Sequence, residues 1–230
     1  MLRILVLAVL LWPMLQSPAA AQAKAGDGGA YMLLGATAGK TNNPRAWPTY
    51  KADFGLELGA QLGLGYAYRG WRVEAQVGYE AFLLDNLAPA AGAGLSGVDG
   101  YGKTTGPVAM ASLFFRPGEA GTFQPFVGAG IGLARLNTEF KGDFCSAAQA
   151  TCYTNARIAG GSDTVEAWQW AIGMSKLSWD ESREVVVGYR YFSTRDYQVE
   201  LVDSGPVTQD GLESHSLMLS MRWYFGKTRR

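Results

Sequence analysis

The sequence predicts an all-β protein, an eight-stranded antiparallel up-and-down transmembrane β-barrel. Three observations carry that prediction. First, every second residue of one segment is apolar: Phe54, Leu56, Leu58, Ala60, Leu62, Leu64, Tyr66 and Tyr68. Gly55, Glu57, Gly59, Gln61, Gly63, Gly65 and Ala67 lie between them. Second, after the break Arg69-Gly70 the pattern restarts, with Trp71, Val73, Ala75, Val77, Tyr79, Ala81 and Leu83 on one face. Arg72, Glu74, Gln76, Gly78 and Glu80 take the other face. A period of two makes a strand with two different faces, and these strands are about twice the usual length for a soluble sheet. Third, the connections along the chain alternate between short and long, as in barrels with periplasmic turns on one side and surface loops on the other.

The elements follow in order. Met1-Leu2-Arg3, an apolar run over 4–15 and the small residues Ala19-Ala20-Ala21 predict a secretory signal peptide at 1–21, with a cut after Ala23 as the second candidate. Strands are predicted at 30–39, 53–68, 71–84, 105–116, 124–137, 164–175, 184–193 and 214–225. The connections at 69–70, 117–123 and 176–183 are short; those at 40–52, 85–104, 138–163 and 194–213 are long. An even strand number leaves both ends of the barrel, 30–225, on the periplasmic side. A short basic tail follows at 226–230. No stretch after the signal approaches 18 apolar residues, which excludes a helical span.

Composition narrows the class. Without Arg3 the 20 basic residues become 19 against 20 acidic ones, so no basic excess points to nucleic acid. The chain is 48% hydrophobic and 17% charged with 30 glycines, a mixture that excludes disorder. Cys145 and Cys152 lie in a polar segment of an exported chain. They are expected to form a disulfide, with free thiols as the alternative; neither has a nearby metal-ligating partner.

The remaining lipid-facing positions of strands seven and eight are Val185, Val187, Tyr189, Tyr191, Leu217, Leu219, Met221, Trp223 and Phe225. Tyr66, Tyr68 and Trp71 at the first turn, Trp223, Tyr224 and Phe225 at the end, and Tyr189 and Tyr191 higher up, are the expected aromatic girdle residues. The inward face holds Glu57, Glu74 and Glu80 against Arg72, Arg190 and Arg222, with Gln61, Gln76 and Gln169. Eight strands enclose room only for side chains, and unpaired buried charge is costly. These residues are therefore expected to form a charge-balanced network filling the lumen rather than acid–base machinery.

Two motifs invite other readings. His215 lies between Ser214 and Ser216 and follows Glu213, but alternation puts both serines on the opposite face. Gly128-Ala129-Gly130-Ile131-Gly132 lacks the following helix that a dinucleotide site needs, so its glycines are expected to open space in a narrow lumen. No zinc, calcium or P-loop motif is present, and neither cofactor nor metal is expected.

The stretches Ser112-Leu113-Phe114-Phe115-Arg116, Phe123-Gln124-Pro125-Phe126-Val127-Gly128 with its continuation to Ala134, Ala167-Trp168-Gln169-Trp170, and Gly188-Tyr189-Arg190-Tyr191-Phe192 carry a resemblance. They resemble the opacity and surface-antigen group of small bacterial outer-membrane barrels, related in shape to the OmpA membrane domain. That resemblance implies an eight-stranded barrel in the outer membrane, with exposed loops acting in envelope integrity, adhesion or host contact, and no catalytic residues. It departs at the tail, since strands of this kind usually end the chain on an aromatic residue that signals to the assembly machinery.

The expected partners are outer-membrane lipid, that machinery and an extracellular ligand of the loops. A small channel for ions or apolar solutes, a lipid-modifying enzyme using His215, and a secreted lipocalin-like barrel are the rival readings. The last would place charge outside and apolar residues within.

Overall fold

In the computed structural model the described residues are 28–41, 45–46, 50–89, 95–117, 123–146, 151–178, 182–202 and 205–225. The expected signal peptide at 1–21 and the tail at 226–230 lie outside them. The strands are β1 (Gly29–Thr41), β2 (Arg45–Ala46), β3 (Tyr50–Tyr68), β4 (Trp71–Pro89), β5 (Leu95–Phe115), β6 (Gln124–Ser146), β7 (Thr151–Leu177), β8 (Arg183–Thr194), β9 (Tyr197–Leu201), β10 (Gly205–Gln209) and β11 (Glu213–Phe225). Eight of them close a ring, because β1 pairs with both β3 and β11 while β7 pairs with β8. All pairings are antiparallel between neighbours in the ring.

Closure removes the exposed edges that an open sheet would present to lipid. The first turn is tight. Arg69 (φ 45°) and Gly70 (φ 85°) both adopt positive φ, the geometry that matches the twist of a two-residue hairpin.

The wall is apolar outside and polar inside over its lower part. Leu64, Ile131 and Leu217 are 67%, 73% and 69% exposed, whereas Arg72 and Glu184 are each 1% exposed. Lipid explains this inversion of a soluble protein: hydrocarbon replaces water outside, and polar groups find partners only within.

Higher up, parity continues on β6 but its polarity reverses. On β6 the outward residues run Val127, Ala129, Ile131, Leu133 and then Arg135, Asn137, Glu139, Lys141. Inward, Ala134, Leu136 and Phe140 are buried. There β3, β4, β5, β6, β7 and β8, joined by β9, enclose an apolar cluster that includes Phe54, Phe82, Leu87, Phe140, Ile158, Phe192, Tyr197, Val199 and Leu201. The point of reversal marks where the outer solvent changes from lipid to water.

This reversal corrects the expected strand ends. The segments 85–104, 138–163 and 194–213 are largely strand: β4 and β5 extend to Pro89 and from Leu95, and β6 and β7 to Ser146 and from Thr151. The lower-barrel pattern stops at the membrane boundary, but backbone pairing continues across it. Phe54 is a second correction. It is buried against Phe140, at 5.8 Å between ring centroids, rather than facing lipid. Register shifts beside Phe54 place it opposite Leu84 and Glu57 opposite Phe82, and the extra residue between them flips the alternation.

Candidate functional site

The barrel interior is the densest concentration of polar chemistry. Each charged residue arrives there by strand parity, from a strand whose other face is apolar. Among the described residues four guanidinium groups, of Arg72, Arg116, Arg190 and Arg222, are buried together with four carboxylates, of Glu57, Glu74, Glu80 and Glu184.

They fall into two tiers. In the lower tier Arg72 Nη2 donates to Glu184 Oε1 at 2.7 Å, and Arg116 Nη1 lies 3.7 Å from the same oxygen. Arg222 donates to Glu74 Oε1 through Nε at 2.9 Å and Nη2 at 2.8 Å, and its Nη1 is 3.8 Å from Glu184 Oε2. Two phenols complete the acceptors: Tyr31 donates to Glu74 and Tyr224 to Glu184, each at 2.7 Å. Arg222 also stands over the rings of Tyr31 and Phe114, at 5.7 and 5.8 Å. Three cations here meet two carboxylates.

A layer of amides follows. Gln76 Nε2 donates to Glu74 Oε2 at 2.6 Å, and Gln169 Nε2 donates to Ser112 Oγ at 2.9 Å and Gln76 Oε1 at 3.3 Å. In the upper tier Arg190 Nη2 donates to Glu57 Oε1 at 3.1 Å and to Glu80 Oε1 at 2.8 Å. Here one cation meets two carboxylates, and the same guanidinium caps the apolar cluster by lying 5.0 Å from the Phe192 ring centroid. The two tiers carry opposite imbalances and the whole is balanced.

All seven residues named from the sequence for this network are therefore in the interior: Glu57, Arg72, Glu74, Glu80, Gln169, Arg190 and Arg222. Sequence reasoning missed Arg116, Glu184 and Tyr31, and it placed Tyr224 in the aromatic girdle; Tyr224 is buried in the lumen instead, because its parity is opposite to that of Trp223 and Phe225. Arg116 and Glu184 sit beside short turns, where alternation is easily taken as ended. The signal was available in the even spacing of Glu184 from Arg190 and of Arg116 from Phe114. Gly128, Gly130 and Gly132 lie where β5 sends Phe114, Ser112 and Met110 inward; a Cβ on Gly128 would meet the Phe114 ring at 2.1 Å.

The outward face is arranged differently. Tyr66, Tyr68, Trp71 and Phe225 are exposed at the short-turn end, and Trp71 packs on Phe115 at 4.7 Å. Trp223 is outward and half-buried there. Tyr189 and Tyr191 contact Trp170 at 5.3 and 5.7 Å. His215 belongs to this outer cluster and hydrogen-bonds the Tyr189 hydroxyl through Nδ1. Ser214 and Ser216 are buried on the inner side of the wall, so no neighbouring serine reaches the imidazole. Far above, Cys145 and Cys152 are directly opposed across β6 and β7, with Cα atoms 4.0 Å apart, and are joined by a disulfide. Among the described residues no cluster of His, Cys, Asp and Glu could hold a metal ion.

Known proteins agree with this architecture. The outer membrane protein beta-barrel domain family matches residues 7–225. Among solved structures, Neisserial surface protein A (NspA) is 15% identical with a TM-score of 0.51, covering 86% of this chain and 99% of that one. Ail, the attachment invasion locus protein of Yersinia pestis, solved with the heparin analogue sucrose octasulfate, is 13% identical with a TM-score of 0.45, covering 86% and 99%. The outer membrane protease OmpT of Escherichia coli is 8% identical with a TM-score of 0.44, covering 86% and 96%. At 15% identity the likeness to NspA is one of fold. No curated protein matches the sequence. A closed lipid-facing ring of eight strands and a family match over nearly its whole length give one conclusion: the chain belongs to the outer membrane protein beta-barrel domain family and is a protein of the bacterial outer membrane.

Proposed function

We propose that this protein is a non-enzymatic structural and surface barrel: the stem anchors, its lumen is plugged by the charged network, and recognition of partners belongs to the extracellular extension. One observation supports the plug above others. Eight buried charges and their amide and phenol partners occupy the lumen, and the void beside Gln61, Gln76, Glu80 and Arg190 has a volume of about 10 Å³, room for a single water. Removing an ion from water into such a network without a hydrated path is costly. The separation of His215 from Ser214 and Ser216 by the barrel wall supports the non-enzymatic reading.

Recognition is assigned to the extension because β4 to β7 carry it well beyond the apolar belt with a polar outer face. Assembly machinery that reads the Phe225 strand and lipid around the belt are the other partners. The full-length protein refolded into planar bilayers is expected to give no stable large conductance. Steady porin-like current steps would refute the plug and favour a channel.

A further inference from the structure

The upper tier of the lumen sets one guanidinium against two carboxylates, and its spare oxygens converge. Arg190 Nη2 donates to Glu57 Oε1 and to Glu80 Oε1. Glu57 Oε2, Glu80 Oε2 and Thr37 Oγ1 are buried with no hydrogen-bond partner. Their residues are 0%, 3% and 4% exposed, so bulk water does not serve these atoms. Among the described residues no second cation belongs to this tier. Arg72 and Arg222 are bound to Glu184 and Glu74 below, and β1, β5, β6, β7 and β11 turn no charged side chain into the lumen at this level.

Sheet register brings the three oxygens together. Thr37 on β1, Gly59 on β3 and Glu80 on β4 stand side by side in one row, and Glu57 lies two residues along β3 on the same inner face. Gly59 leaves the middle of the row bare. A Cβ there would lie 2.0 Å from Glu80 Oε2 and 2.4 Å from Thr37 Oγ1, so both oxygens lean over its backbone from the neighbouring strands. The Glu57 carboxyl is within hydrogen-bonding reach of Glu80. Beside Glu80 is the void of about 10 Å³, with room for one water.

We propose that Glu57, Glu80 and Thr37 hold a sodium ion inside the barrel. The ligands are hard oxygens, the kind that alkali and alkaline-earth ions take in preference to nitrogen or sulfur. One uncompensated negative charge selects a monovalent ion. Two carboxylates and a hydroxyl fall short of the acid cluster that suits a divalent one. The single-water void supplies a further oxygen and leaves no room for the wider shell of potassium. The bound ion neutralises the tier and is part of the filling, not a permeant species. Planar-bilayer current tests the lumen as a barrier and sodium-linked stability tests the ion, so either reading can fail without the other.

The test unfolds the full-length protein with urea from lipid bilayers, in sodium chloride or in choline chloride of equal ionic strength. The folding equilibrium constant is expected to be about fivefold higher in sodium at four times the dissociation constant, and to follow the saturation of one site. Potassium chloride is expected to give a smaller gain. T37V keeps the side-chain volume and removes the hydroxyl; E80Q removes one carboxylate. Both are expected to fold in choline chloride and to lose the sodium gain. Equal stability of the wild type in the two salts overturns the proposal. A sodium gain that persists in T37V and E80Q also overturns it, since the ion then acts elsewhere. A stability that falls from about pH 6 to about pH 9 equally in both salts overturns it in favour of a proton held between the two carboxyl groups.

Discussion

The two-tier lumen makes a prediction that charge counting alone can test. Glu184→Gln removes one of two carboxylates that hold three guanidinium groups. The lost contacts are the 2.7 Å pair with Arg72 and the longer approaches of Arg116 and Arg222 at 3.7 and 3.8 Å. Among the described residues the lower tier would then keep one carboxylate, Glu74, beside its buried guanidinium groups. Breaking a buried pair and leaving the partner charge in place costs about 3–5 kcal/mol.

Glu80→Gln changes the same atoms in the same way in the upper tier, yet there the count runs the other way. Arg190 keeps Glu57 at 3.1 Å and an amide oxygen in place of the Glu80 carboxylate at 2.8 Å. The substitution removes the excess acid, so its net cost is about 1 kcal/mol or less. Both variants would be unfolded by urea from lipid bilayers, the folded fraction read by mobility on unboiled gels, and stabilities taken from linear extrapolation. Equal losses for Glu184→Gln and Glu80→Gln would refute the division into tiers with opposite imbalance.

Other expectations follow from the same architecture. Val77→Arg puts a charge on the lipid face and is expected to cost about 2–4 kcal/mol, while Asn137→Arg, above the polarity reversal, costs about 0–1; paired urea titrations measure both. Cys145→Ser with Cys152→Ser is expected to leave the gel-mobility signature of the folded barrel intact, because the bond closes the far end of the β6–β7 hairpin. The same double variant should be cleaved faster by added protease at that end, as judged by fragment mass.

The barrel was legible because lipid imposes a strict rule on each strand. Leu56 to Tyr68 and Trp71 to Leu83 declare their faces residue by residue, and a charge at the wrong parity would cost several kcal/mol. Hence Glu57, Glu74, Arg72, Arg190 and Arg222 were assignable to the lumen without knowing which strand faces which. The extension was not legible in the same way. Above Leu133 the outer face becomes aqueous, so Glu139 and Lys141 look like loop residues although their backbones remain paired to β5 and β7.

Local sequence therefore determined the strand parity, the solvent on each side and the stock of lumen charges. Only the closed ring decided the pairing. Register brings Arg72 to Glu184 across 112 residues of chain and Arg190 to Glu57 across 133. It also turns Phe54 inward at a bulge and lays Arg157 over Gly160 beside Glu139. Alternation is a property of one strand read alone; ion partners, bulges and clefts are properties of how eight strands are staggered, and that stagger is set by closure.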